Sequence, residues 1–271
     1  VMGDSALGTA TTAASNVFIG KNAGSAIPAG EAVSYCTVVG INAFNGAAGT
    51  TADTNGTVAI GRDALYALTT GAGNTAIGYQ SCSAMDGTNY NTAVGYQSML
   101  THTGHNNTCI GYQTMIDTDA SAYTLLSSEN VFIGYKSGGG TWSDSAGASA
   151  RSDRNIGIGM QTLYGAMSGA TANIAIGYDA LKQLTEGDYN VAIGMDAGDA
   201  MSTGSSNILL GQSTGTLITT GGDHVLIGSL AGDAIAAGQT TTNGTVAVGS
   251  GALGALTTGA KNVAIGYQAM K

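Results

Sequence analysis

The sequence predicts an all-β protein: a β-solenoid folded as a parallel β-roll of about 15 coils, with residues 1–271 forming one repeat domain. Three observations carry the prediction. A glycine-anchored repeat recurs along the whole chain. Its columns alternate as the side chains of a strand do. The composition, 44 glycines and one proline in 271 residues with only 9 % charged, suits stacked tight turns around an apolar interior.

The repeat reads Asn-x-Ala-Ile-Gly-Tyr-Gln-Ala-Leu, as at Asn74–Ser81 and Asn262–Met270. Its anchors run from Gly3, Gly20, Gly40 and Gly61 through Gly159 and Gly194 to Gly249 and Gly266, most often 17 residues apart. Spacings of 20 to 25 mark inserted loops. The residue before the anchor is Ile, Val or Leu in every copy except Met2, and the residue three before is always β-branched, as in Val58, Thr75, Ile156 and Val191. These two columns share one face of a strand. The residue between them points the other way and is apolar too: Ala59, Ala76, Ala192 and Ala264, with Phe18, Phe132, Leu209 and Leu226. A strand apolar on both faces is a strand covered on both. One face lines the inside of the coil. A 17-residue coil has little chain left to cover the other, so the expected cover is another copy of the protein, with the Ala-column strands meeting near a three-fold axis.

The remaining columns fit stacked coils. Asn stands four before the anchor in ten copies, and identical amides in a stack form a hydrogen-bonded ladder. The anchor glycine implies positive φ or a close approach of backbones. Three residues after it stands Ala, Ser or Thr, as a tight corner requires, followed by an inward Leu, Met, Phe, Cys or Gly. A second turn such as Leu68–Gly71 closes the coil. Each coil is therefore expected to run strand, corner, short strand, turn. Fifteen coils at ~4.8 Å make a rod of roughly 70 Å. The chain opens on Val1 and stops within a repeat, and so reads as a fragment of a longer fibre.

Segments such as Asn190-Val191-Ala192-Ile193-Gly194 and Asn173-Ile174-Ala175-Ile176-Gly177 resemble the YadA-like head repeats of trimeric autotransporter adhesins. The likeness spans essentially the whole chain. It implies a left-handed roll, assembled as a homotrimeric attachment fibre. Tyrosine after the anchor, at Tyr79, Tyr96, Tyr112, Tyr135, Tyr178 and Tyr267, is similar to repeats of phage and viral tail-fibre proteins. The repeat here is longer than the adhesin's, and no neck, heptad stalk or membrane-anchor pattern accompanies it. The resemblance thus leaves open a bacterial or a virion surface.

Composition and motifs narrow the function further. The 43 % hydrophobic content can bury a core, and low charge argues against disorder. The single Pro28 and the lack of a Gly-X-Y period exclude collagen. No apolar run approaches the ~20 residues of a membrane span, and no signal-peptide pattern is present. A net charge of −9, from 17 acids and 8 bases, leaves no cationic surface for nucleic acid or anionic lipid.

His102, His105 and Cys109 lie close enough to suggest a metal, but the histidines read as a polar turn and Cys109 as a member of the Ala column. Cys36, in the Asn column, and Cys82, an inward residue, read as small buried side chains. Asp196 and Asp199 flank a glycine as calcium ligands can, yet the calcium nonapeptide is absent and a solvated turn explains them. The Asn55 and Asn243 sequons are Asn-Gly turns, and Asn106 begins a third sequon. Nothing provides the paired carboxyls, nucleophile elbow, zinc helix or phosphate loop of an enzyme. No catalytic residue, cofactor or metal is therefore expected. The two longest insertions carry the residues enriched at binding hot spots, Tyr123 in one and Trp142, Arg151 and Arg154 in the other, and these are the candidate ligand contacts. The alternative for them is an apolar anchor folding back on the coil.

The sequence-level expectation is a non-catalytic extracellular fibre segment, an adhesin head or tail-fibre piece on a bacterial or virion surface. It would act as a rigid spacer that meets a host cell, matrix or glycan receptor, without nucleic acid and without inserting in a membrane. The competing expectation is a purely structural, filament-forming β-solenoid, such as a sheath or matrix fibre.

Overall fold

The computed structural model describes residues 2–7, 14–28, 31, 33–46, 52–116, 126–142, 151–235 and 243–271. Tyr123 lies outside them. The chain is an all-β parallel β-solenoid of about 13 turns, in two compact units, Val1–Asn130 and Val131–Lys271. The first unit holds β1 (Val17–Ile19), β2 (Thr37–Val39), β3 (Val58–Ile60), β4 (Thr75–Ile77), β5 (Thr92–Val94) and β6 (Thr108–Ile110), with a 3-10 turn at Ala52–Thr54. The second holds β7 (Val131–Ile133), β8 (Ile156–Ile158), β9 (Ile174–Ile176), β10 (Val191–Ile193), β11 (Ile208–Leu210), β12 (Val225–Ile227), β13 (Val246–Val248) and β14 (Val263–Ile265). Within each unit every strand pairs in parallel with the next, in register column by column, as in Val191↔Ile208 and Ala192↔Leu209. Met2 makes only an isolated bridge to Ile19, so the first anchor, Gly3, follows no full strand.

The anchor glycine does what its column predicts. Gly78 has φ +139°, and a Cβ there would fall inside the carbonyl of Gly95 on the next coil. The coils are stacked too closely at this corner for any side chain.

The second leg departs from expectation. Among the described residues it contains no strand. The residues two and four after the anchor are left-handed, as in Asp63 (φ 57°) with Leu65 (φ 49°) and Asp179 (φ 53°) with Leu181 (φ 48°). Left-handed residues at alternate positions cannot continue a β-strand. The leg still bonds coil to coil, Leu65 N–H to Ser81 O at 3.0 Å and Leu181 N–H to Ala197 O at 3.0 Å. Those bonds, and the burial of the residue four after the anchor, hold the unfavourable dihedrals in place.

The interior is filled by complementary volumes. In most coils with a small middle strand residue, the residue four after the anchor is large: Ala59 with Leu65, Ala93 with Met99, Ala175 with Leu181, Gly157 with Leu163. Ala76 with Cys82 and Ala192 with Gly198 depart from this, and beside Gly198 the space is taken by Leu181 and Leu209 of the adjacent coils. Where the middle residue is large, glycine takes the other place: Phe18 with Gly24, Phe132 with Gly138, Leu209 with Gly215, Leu226 with Gly232. A Cβ on Gly232 would lie 2.8 Å from Leu226 Cδ1, and one on Gly138 would lie 2.9 Å from the Phe132 ring. A close-packed interior demands such exchange. A third inward column, with Met85, Leu184, Met201 and Ile218, completes the core.

The asparagine ladder forms as predicted. Asn190 Nδ2 donates to Asn173 Oδ1 at 2.9 Å and to Gly204 O at 2.7 Å. Its Oδ1 accepts from both N–H and Nδ2 of Asn207, at 3.1 and 2.9 Å. Similar links join Asn74 to Asn91 and Asn155 to Asn173. Each buried amide is thereby satisfied by its neighbours. Cys36 and His224 stand in the same column and keep only the backbone link, to Asn16 Oδ1 at 2.8 Å and to Asn207 Oδ1 at 3.1 Å.

Candidate functional site

Strand geometry turns the middle residue inward and its two neighbours outward. The Ala column is therefore the interior column, as the full burial of Ala76, Ala192 and Ala247 shows. This corrects the expectation that the Ala-column strands face a three-fold axis: that column is already consumed by packing within the coil. The uncovered columns are the β-branched ones. Val17, Ile19, Ile158, Ile193, Ile208 and Ile227 are between 36 and 45 % exposed. No charged residue occurs in either outward strand column of β1 to β14. Beside them, one residue after the anchor, stand half-exposed Tyr79, Tyr96, Tyr112, Tyr135, Met160, Tyr178 and Met195. Each unit thus presents an uncharged strip, apolar throughout in the second unit and interrupted by Thr37, Thr75, Thr92 and Thr108 in the first.

In the first unit this strip is edged by two outer ladders. The rings of Tyr79, Tyr96 and Tyr112 stack with centroids 5.2 Å apart at both steps, and Arg62 lies over the Tyr79 ring at 5.9 Å. Such stacking and cation–π contact add to the coil-to-coil interaction. Next to them Gln97 Nε2 donates to Gln80 Oε1 at 2.9 Å and Gln113 Nε2 to Gln97 Oε1 at 3.0 Å. The same column begins with Asn22, Asn42 and Asp63, joined through Nδ2-to-Oδ1 bonds of 3.0 Å.

Of the residues singled out for ligand contact, Tyr123 lies outside the described residues. Trp142 is an interior side chain, fully buried and edge-on to Phe132 with centroids 6.0 Å apart, so its ring offers no surface to a ligand. Arg151 and Arg154 are exposed.

The candidate metal trio separates. His102 takes an apolar core position rather than a polar turn, because it stands in the inward column of Met85 and Met201. Its Nε2 lies 2.7 Å from Ser127 O, and burial pushes its pKa down to about 4. His105 Nδ1 accepts from Asn89 N–H at 3.1 Å. Cys109 Sγ packs 3.1 Å from Met115 Sδ. Among the described residues no group of three or more His, Cys, Asp or Glu side chains is placed to hold a metal ion.

Burial raises all three thiols, Cys82 to about 12, which leaves them protonated and unreactive at neutral pH. Lys182 Nζ pairs with Asp179 Oδ2 at 2.8 Å, and burial, reinforced by Asp196 and Asp179, raises the Asp199 carboxyl. The Asn-Gly sequons are engaged in turns: Asn55 Oδ1 accepts from Ser34 N–H at 2.6 Å and Asn243 Oδ1 from Gly222 N–H at 3.1 Å. Among the described residues no helix is long and apolar enough to cross a membrane.

The signal that sequence reasoning missed is the glutamine-bearing column. Its residues looked like ordinary surface polar groups, and only their recurrence two places after the anchor marks them as a ladder. Comparison with protein-family models, with curated proteins and with solved structures found no match to this chain.

Proposed function

We propose that this chain is a non-catalytic segment of an extracellular attachment fibre, an adhesin head or tail-fibre piece displayed on a bacterial or virion surface. Three copies associate through their uncharged β-branched faces, in the left-handed roll that the family resemblance implies. The observation that carries the reading is that face. In the second unit eight three-residue strands at ~4.8 Å spacing, each about 10 Å long, span roughly 380 Å². That is the size of the largest apolar patch on a typical monomer, a patch that is often functional, and it is about half of one partner's share in a standard interface. Water-facing Ile and Val in every coil, with no charge among them, are suited to meeting a second apolar face.

A fibre of this kind needs no cofactor, and it gains strength at a host cell, matrix or glycan receptor from three copies acting together. Sedimentation equilibrium of the chain in dilute solution tests the association. A mass three times 26.7 kDa is expected. A monomer at micromolar concentration would remove the trimer. A concentration-dependent series of longer species would instead support a structural filament.

A further inference from the structure

The outer corner of the first unit holds an open polar groove beside an exposed aromatic ring. An open groove of about 360 Å³ is lined by Asn42, Asp63, Tyr66, Gln80 and Ser83. Two amides, a carboxylate and two hydroxyls supply the mixed donors and acceptors that sugar hydroxyls require. Tyr66 is 43 % exposed and lies outside the Tyr79–Tyr96–Tyr112 stack, so it can offer an apolar ring with a polar tip.

The groove opens onto the Gln80–Gln97–Gln113 ladder. Its middle rung, Gln97, spends one N–H on Gln80 at 2.9 Å and one carbonyl lone pair on Gln113 at 3.0 Å, and an amide has a second of each. The adjacent tyrosines repeat at 5.2 Å, one per coil.

A ligand that meets successive coils alike must share their period. An extended peptide advances ~3.3 Å per residue and a polyproline helix ~3.1 Å, so both drift out of register. Nucleic acid is repelled by a chain of net charge −9. An extended β-1,4-linked pyranose chain advances by slightly more than one ~4.8 Å strand spacing per sugar, close enough to keep register over a few coils. Its successive sugars present opposite edges, which an amide able both to donate and to accept can follow.

We propose that this corner binds a linear β-1,4-linked polysaccharide, one sugar per coil, with Tyr66 stacking on one sugar and the Asn42, Asp63 and glutamine side chains bonding the hydroxyls. The proposal rests on the attachment reading and narrows its ligand. It is tested by calorimetric titration of the full chain with cellohexaose and chitohexaose, against maltohexaose and laminarihexaose, whose chains coil away from the ladder period. The expected result is binding of at least one β-1,4 hexamer tenfold or more tighter than both controls. Tyr66→Ala and Gln97→Ala, each with unchanged circular dichroism, should each weaken it about tenfold.

No β-1,4 binding, equal binding of maltohexaose, or wild-type affinity in both variants would overturn the proposal. Adhesion of the same chain to cultured cells and matrix proteins separates the two readings. Adhesion without hexamer binding removes the ladder site and leaves the attachment fibre. Absence of both removes the two together.

Discussion

If the interior is built by exchange of volume between the middle strand residue and the residue four after the anchor, exchanging them by mutation should be tolerated where either change alone is not. Leu226 and Gly232 provide the test. Leu226 is fully buried. Leu226→Ala alone removes packing and opens a cavity, a loss of about 2–5 kcal/mol. Gly232→Leu alone places a Cβ 2.8 Å from Leu226 Cδ1 and 2.9 Å from Ile235 Cδ1. Overpacking of that kind costs about 1–3 kcal/mol. The left-handed backbone at Gly232, φ +61°, adds about 1 kcal/mol or more, yet Leu181 and Leu253 hold the same column position at φ 48° and 53°. The double variant recreates the Ala-with-Leu arrangement of Ala175 and Leu181. Its stability should lie within about 1–2 kcal/mol of the parent, so the singles couple by at least about 2 kcal/mol. Urea unfolding of the four proteins, followed by circular dichroism and compared by midpoint, measures that coupling. A double variant destabilised by the sum of the singles would refute the exchange and mean that each coil packs its two columns independently.

Three further outcomes follow from the same structure. Asn190→Ala removes four ladder bonds and strands the Asn207 backbone N–H and the Gly204 carbonyl, while Asn207 Nδ2 keeps Gly221 O, so a loss of about 2–4 kcal/mol in urea unfolding is expected. Exposed Asn262, bonded through Nδ2 to Gly259 O, should lose under about 1 kcal/mol on the same change. His102, with its folded pKa pushed down to about 4 from an ordinary 6.5, contributes stability that is complete above pH 6.5 and lost as pH falls toward 4. The drop is on the order of 3 kcal/mol, and His102→Met, the residue of the neighbouring coil's Met85, should flatten that part of the pH profile; an unchanged slope would count against it. Ile176→Asp with Ile193→Asp puts charge on the outer face of β9 and β10, and sedimentation should then return a monomer with native circular dichroism; a retained trimer would place the interface elsewhere.

Much of this fold was legible because a parallel in-register stack repeats its physics. Fifteen near-identical copies average away the ambiguity that a single Asn-x-Ala-Ile-Gly would carry, so the strand, the anchor glycine and the amide ladder could all be read as columns. Which face points inward was not legible from hydrophobicity, since Ala59 and its flanks Val58 and Ile60 are all apolar. Variation in size was the usable signal: the inward column ranges from Ala76 to Phe18 and Phe132, whereas the outward column three before the anchor stays β-branched in every strand. The second leg was misread as a strand because Leu65, Leu181 and their kin are not residues that advertise a left-handed backbone. The glycines sharing their column, Gly24, Gly138, Gly198, Gly215 and Gly232, carried that information. Trp142 drew attention as a hot-spot residue, but a lone large aromatic beside a solenoid strand fills space against Phe132 as readily as it recognises a partner.

The insertions complete the argument for what the outer face is for. Anchor spacings range from 16 to 25 residues, yet each of the 14 strands keeps three residues and, where its pairing is given, the same register with its neighbour. Every added segment falls after the corner that follows the anchor and before the residue that begins the next strand. Loop length has therefore been free to vary on one part of the coil while the β-branched face admitted neither an insertion nor a charge. Interior packing alone does not require that second restriction, because outward residues do not touch the core. A lysine in place of Val191 or Ile193 would cost the isolated coil little. Its absence from both outward columns throughout β1 to β14 supports the proposed packing of this face against another apolar surface, and under that proposal the variable loops are the parts left free to differ.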